Sequence, residues 1–226
     1  MVTRIDEGLW HIDCRTFDRP NVYLVGDGDY TLLDAGHPRD EDTVRTAINE
    51  VGIGLADIDQ ILLTHYDVDH VGSLGRLTPD LDAPIYIHPR DAPYVAGERL
   101  PPWTARNGLE TIHRLYYRRL DLPDLPIQLI RDNDEIGEFS ACHTPGHTPG
   151  HMAYLHQGAD AAFLGDLAFN FNHRLRPSGR ISSYDVHQVR DSIGRVLDRM
   201  PMFEHACPGH GRPMTDGYDQ LASAIE

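Results

Sequence analysis

The sequence contains no lysine: its 20 strong bases are all arginine, set against 35 acids, 26 of them Asp and 9 Glu. A net charge of −15 excludes the basic patch on which nucleic-acid binding depends. Cysteine is scarce and odd in number (Cys14, Cys142, Cys207), with no CxxC pair. That excludes a disulfide framework and a zinc ribbon, and predicts three buried free thiols. No apolar run approaches the roughly 18–20 residues needed to span a bilayer. The opening MVTRIDEGLWHIDCRTFDRP lacks a basic segment followed by an apolar stretch, so no secretory leader is expected and the default compartment is the cytoplasm. Repeats, low-complexity tracts and Gly/Ser linkers are also missing, which predicts a single domain over 1–226.

What is present is first a surplus of short acidic side chains along the whole chain. Such a surface resembles those of proteins adapted to high salt, where a Debye length of about 3 Å at 1 M screens self-repulsion. Strand signals fill the first third: LWHIDC, NVYLVG and YTLLDAG, with DGD between the last two reading as a hairpin turn. A helix is predicted at about 40–51, opened by acids that suit a helix N-terminus. QILLT and APIYIH read as short apolar strands, and 89–123 as mostly helical around an aromatic, Pro-rich stretch. Strands return at PIQLI, EFSACH, MAYLH and AAFLGD, then a helix at about 184–200, a strand at FEHAC and a last helix. Two strand-rich halves, each followed by helices, predict an α/β fold: a four-layer αββα sandwich of two mixed sheets with outer helices.

Imidazoles and carboxylates concentrate at predicted strand ends. His65-Tyr66-Asp67-Val68-Asp69-His70 follows QILLT and places four metal-ligating side chains in six residues of a loop read as irregular. His147 lies in the Pro/Gly-stiffened HTPGHTPGH, Asp166 ends LGD, and His210 ends CPGHG. Together these motifs resemble the metallo-β-lactamase superfamily, with its HxHxDH, TPGH, GD and PGHG. The spacing agrees: 76 residues between His70 and His147, 18 from there to Asp166, and 43 to His210. The likeness runs from about residue 8 to 215 and includes Asp34 in LLDAG, read as a structural acid.

The resemblance implies a dinuclear centre. One divalent ion would be held by His65, Asp67 and His147 and the other by Asp69, His70 and His210, with Asp166 and a water or hydroxide bridging. Zinc is the expected metal, with iron or manganese as alternatives. Asp67 departs from the family, which has His there. It either ligates as a carboxylate, points away to leave one metal, or marks a branch with other chemistry. Counting charge favours ligation, and the flavodiiron proteins, which this cluster also resembles, carry an acid at the same place. His143 and His151 are read as structural, His37 and His88 as weak claimants, and His11, His113, His156, His173, His187 and His205 as ordinary.

The implied activity is hydrolysis of a small ester, thioester or lactone by a metal-bridging hydroxide, with Asp69 both ligand and catalytic proton-steering group. The glyoxalase II form is disfavoured, because its grip on a carboxylate commonly uses Lys. A di-iron or mononuclear-iron oxidoreductase and a metal-stabilised binding module are the competing readings. The expected partner is a small molecule, with no nucleic acid and no membrane. The 89–123 segment reads as a candidate lid insertion whose Tyr94, Trp103, Tyr116 and Tyr117 would line a pocket, or as a helical cap. Residues Phe169–Arg174 are the other candidate wall.

Overall fold

Strand alternation decides the layers. Within β3 (Asn21–Val25) every residue is buried, so the strand needs an apolar neighbour on both faces. Val22 and Leu24 turn one way, joining Val44, Ala47 and Ile48 of helix α1 (Glu41–Val51) in one core. Tyr23 and Val25 turn the other way and meet Phe139, Tyr154 and Phe163 of a second sheet. That second sheet buries its far face, including Cys142, Leu155 and Leu164, against Val189, Ile193 and Val196 of α6 (Val186–Arg199) and Leu221 of α7 (Gly217–Ser223). Three stacked apolar cores therefore separate helix, sheet, sheet and helix, which is the expected αββα sandwich.

The computed structural model describes all residues except 17–18, 27–28 and 104–105, and the side chains of Asn107 and Leu109. The first sheet runs in order β1 (Val2–Asp6), β2 (Leu9–Asp13), β3, β4 (Tyr30–Leu33), β5 (Ile58–Leu62), β6 (Ile85–Ile87) and β7 (Ile127–Leu129). Its first four strands pair antiparallel and its last four parallel. The second sheet has the order β14 (His205–Pro208), β11 (Ala161–Gly165), β10 (Met152–His156), β9 (Phe139–His143) and β8 (Glu135–Ile136), with only β11–β14 parallel. Both sheets are mixed, as predicted. Asp27 and Gly28 of the predicted DGD turn lie outside the described residues.

Three details differ from expectation. Residues Val68–Val71 form a single helical turn, α2, rather than an irregular loop. Among the described residues of 89–123, helix is confined to α4 (Ala92–Val95), a tight turn at Arg106–Gly108, and α5 (Leu109–Tyr117), because Pro101 and Pro102 deny the backbone donors a continuous helix needs. A small hairpin of β12 (Ala168–Asn170) and β13 (Leu175–Pro177) was not foreseen. Short α3 (Leu74–Leu77) completes the elements used below. Among the described residues no helix is long and apolar enough to cross a membrane.

Candidate metal centre

The C-terminal ends of β5, β9, β11 and β14 meet at one edge of the sandwich, and the loops leaving them carry the seven predicted ligands. The edge is fixed by backbone ties between the sheets. The Met152 amide donates to the Thr64 carbonyl (2.8 Å) and the Tyr154 hydroxyl to Leu63 O (2.7 Å). β5 thus delivers His65 in extended chain, and the α2 turn then swings Asp69 and His70 back towards it. Glycine is required where the loops touch: a Cβ on Gly209 would lie 2.2 Å from Asp166 Oδ1, and one on Gly165, at φ +49°, 2.7 Å from His151 Nε2.

The histidine rings are aimed by partners behind them. His70 Nδ1 lies 2.8 Å from Asp34 Oδ2, His65 Nδ1 2.9 Å from Thr64 Oγ1, and His147 Nδ1 3.1 Å from Ser178 Oγ. Each therefore turns its Nε2 inward, the arrangement by which a hydrogen bond on one ring nitrogen frees the other for a cation. Asp34, in left-handed backbone (φ +58°), also accepts the Thr64 amide (2.8 Å) and hydroxyl (2.7 Å). It fixes the loop carrying the cluster, as predicted. His151 is not among the converging donors. Its Nε2 accepts the Asp166 amide (3.0 Å), so its Nδ1 carries the proton, 2.8 Å from Thr144 Oγ1. Its role is to hold Asp166.

Four donors then form a closed group. His70 Nε2 lies 3.2 Å from Asp166 Oδ1, 3.6 Å from Asp69 Oδ2 and 3.4 Å from His210 Nε2. His210 Nε2 lies 3.2 Å from Asp69 Oδ2 and 3.5 Å from Asp166 Oδ1. Donors on a tetrahedral zinc, each about 2.0–2.1 Å from the metal, are about 3.3–3.4 Å apart. These five separations are close to the edge lengths of a metal cage. Asp166 Oδ1 and His65 Nε2 are buried without a hydrogen-bond partner among the described residues, a costly state unless a cation satisfies them. The residues fit divalent metal ions.

The charges agree. Burial opposes ionisation of Asp166, but His210, His70 and His147 outweigh it and hold the carboxyl well below its usual range. Burial likewise opposes a charged His70, yet Asp166, Asp34 and Asp69 raise its pKa well above the ordinary imidazole value. The same contest raises His210. Buried carboxylates drawing positive charge to their centre are what a cation site requires. The cysteines stay outside it: all three are buried and none is in a disulfide, and burial pushes the Cys142 thiol up to about 11, against thiolate ligation.

The second donor group is different in kind. His147 Nε2 lies 3.0 Å and His65 Nε2 3.5 Å from Asp67 Oδ2, but Arg106 joins them. Its Nη1 donates to Asp67 Oδ2 and its Nη2 to Asp67 Oδ1, both at 2.6 Å, and Nη1 also reaches His147 Nε2 at 3.3 Å. Glu110 Oε1 accepts from Arg106 Nε (2.8 Å) and Nη2 (2.5 Å) and from the Tyr66 hydroxyl (2.6 Å). His113, read from sequence as ordinary, puts Nδ1 3.3 Å from Asp67 Oδ1. It stands in the centre because α5 carries it one turn after Glu110.

Sequence reasoning missed Arg106, Glu110 and His113. The one signal available was the acid at position 67, which needs a positive partner once buried. Of the aromatic residues expected to line a pocket, Tyr94 stacks on buried Tyr66 (4.2 Å between centroids) and the Tyr117 hydroxyl donates to Tyr66 O. Trp103 and Tyr116 are exposed, the former under Arg114 and Arg118. Phe169 does reach the centre, its ring 5.5 Å from that of His210, whereas Phe171 faces solvent. His88 and His143 stack on each other (4.1 Å), and His37 packs on Tyr116. None of these three belongs to a donor group among the described residues.

Comparison with known proteins agrees with this geometry. The family described as the metallo-beta-lactamase superfamily matches residues 15–215. A probable metallo-hydrolase of Bacillus subtilis, YflN, is 28% identical over 218 residues, covering 86% of this chain and 81% of its own. TTHA1623, solved in a di-iron-bound form, is 29% identical with a TM-score of 0.66, over 91% of this chain and 94% of its own. TTHA1429 of Thermus thermophilus, at 21% identity and TM-score 0.72 over 98% of this chain and 79% of its own, shares the fold. With the fold, the convergent donors and a family match across most of its length, the chain belongs to the metallo-beta-lactamase superfamily.

Proposed function

We propose that the chain is a metal-dependent hydrolase of a small ester, thioester or lactone, with zinc as the resident ion. The observation that carries this is the closed group of Asp69, His70, Asp166 and His210, whose separations of 3.2–3.6 Å match donors on one ion. Asp69, His70, Asp166 and His210 would hold the ion, which when bound would supply a water of lowered pKa and a Lewis acid for the substrate's carbonyl oxygen. The chain's own residues do the rest. Asp34 and His151 keep His70 and Asp166 in register. Asp69, buried beside His70 and His210, would receive a proton and pass it to the leaving group. Phe169 walls the His210 side, and the 89–123 segment, entering through Arg106 and His113, covers the other as a lid.

The choice of a small ester, thioester or lactone over a nucleic acid rests on the net charge of −15, which repels a polyanion. Zinc is not the only reading, since TTHA1623 was solved with two irons, and an iron-dependent oxidoreductase is the second proposal. Elemental mass spectrometry of protein purified without added metal, beside assays with aryl esters, thioesters and lactones, separates the two. Hydrolysis is expected to need metal and no electron donor, and Asp69→Asn is expected to lower kcat at least about 100-fold. Oxygen uptake with a donor, and no ester or lactone turnover with any divalent ion, would replace the hydrolase with the oxidoreductase.

A further inference from the structure

We propose that Arg106 takes the place of one of the two metal ions, so that this chain holds a single divalent ion among Asp69, His70, Asp166 and His210, with His65, which also groups with His70 and Asp166, turned to that same ion, and a guanidinium at His147 and Asp67. The inference rests on the metal-dependent reading above and specifies its stoichiometry.

The first argument is competition for the same lone pairs. Arg106 Nη1 donates to Asp67 Oδ2 and lies 3.3 Å from His147 Nε2, and Asp67 and His147 are two of the three residues, with His65, grouped for the first ion. His147 Nε2 also lies 3.0 Å from Asp67 Oδ2, so whether it accepts from the guanidinium or carries its own proton towards Asp67, no lone pair is left for a metal. By contrast, Asp69, His70 and Asp166 face one another, His210 and Asp34.

The second is permanence. The Arg106 side chain is fully buried. Glu110 grips it from behind, and the rings of Tyr66 and Tyr184 lie 5.7 and 5.3 Å from its central carbon. A cation enclosed by two carboxylates and two aromatic faces stays charged and in place.

The third is charge. Asp67 already has a permanent cation in Arg106, which pairs with Asp67 and with Glu110 behind it, so neither acid needs a metal ion to be buried. The acids left without such a partner are Asp69 and Asp166, whose two charges one divalent ion balances.

Together these account for the departure at position 67. A carboxylate accepts the guanidinium in the two-pronged manner seen here, whereas the histidine usual in the family offers at most one lone pair. Asp67 and Arg106 are therefore one feature, not two. All the Arg106 nitrogens are engaged, so it acts by its charge and by holding Asp67 and His147, not by gripping substrate.

The test is a metal count by elemental mass spectrometry on full-length chain incubated with excess Zn²⁺ and freed of loose ions by gel filtration. The parent is expected to hold one ion, and Asp67→Asn also one. Arg106→Met combined with Glu110→Gln, which removes the cation together with the acid behind it, should hold two, falling back to one when Asp67→Asn is added. Two ions in the parent, or loss of an ion on Asp67→Asn alone, overturns the proposal. Should the double variant fail to fold, Co²⁺ titration of the metal-stripped parent decides: absorption saturating at one equivalent supports the proposal and saturation at two defeats it. If the parent binds no ion at all, the metal-dependent reading itself fails.

Discussion

At the scale of single residues, the centre depends on groups that never touch its contents. Asp34 accepts from Thr64 twice and faces His70 Nδ1, so its charge keeps that ring basic and correctly turned. Asp34→Asn preserves size and tolerates the left-handed backbone, but one amide end must present a donor where an acceptor is needed. Metal affinity measured by chelator competition is expected to fall about 10–100-fold, with an unchanged far-ultraviolet circular dichroism spectrum. Unchanged affinity would mean that Asp34 serves the loop alone. Arg106 teaches a related lesson: nothing in its neighbourhood of sequence marks it, because its partner Asp67 lies 39 positions away and only the folded chain joins them.

At the scale of elements, the two sheets are clamped near the centre by the His88–His143 stack, which joins the end of β6 to the end of β9 at 4.1 Å and 3°. Burial first, then His143 and Arg90, lower the His88 pKa to about 4. Its Nδ1 accepts the Arg90 amide (3.2 Å), which only the neutral ring can do. In the unfolded chain a histidine titrates near 6.5. Between that value and about 4 the unfolded state therefore binds more protons, and stability falls as pH falls through this window. Replacing His88 by Phe keeps the stack without a titrating ring. The drop in Tm between pH 7 and pH 5 is expected to be smaller in His88→Phe than in the parent, by calorimetry; equal drops would show that the stack carries no such penalty.

What the sequence made legible at this scale follows from what is local. ILL and AAFLG each declare a strand by an apolar run, and His65 and Asp166 stand just beyond them, so these strand ends and their ligand candidates could be read together. The α2 turn was hidden because Val68–Val71 is too short for helical periodicity to register. β12 and β13 were hidden because their three residues each alternate too briefly. His113 looked ordinary since its spacing from Glu110 is equally that of an exposed helix face.

At the scale of the whole molecule, the charge of −15 without any lysine spreads repulsion over the surface. Adding KCl from about 0.1 M to about 1 M shortens the screening length from about 10 Å to about 3 Å. The Tm is expected to rise by several degrees over that range, measured by differential scanning calorimetry at fixed pH. A flat or falling Tm would show that the acids are already neutralised pairwise and that the likeness to salt-adapted surfaces is compositional only.

The last donor loop is moored to the first hairpin. Asn21 donates to the carbonyls of Pro208 and Gly211, its amide donates to Gly209 O (2.7 Å), and the Tyr23 hydroxyl donates to Pro208 O. Asn21 and Gly211 are 190 positions apart, so His210 reaches its place only after nearly the entire chain has been made and the sandwich has closed. Contacts of such long range are the slow ones to form. The four-donor group is therefore incomplete until the segment around His210 has docked on the first hairpin. A chain in which that mooring is open keeps three of the four donors and lacks the fourth.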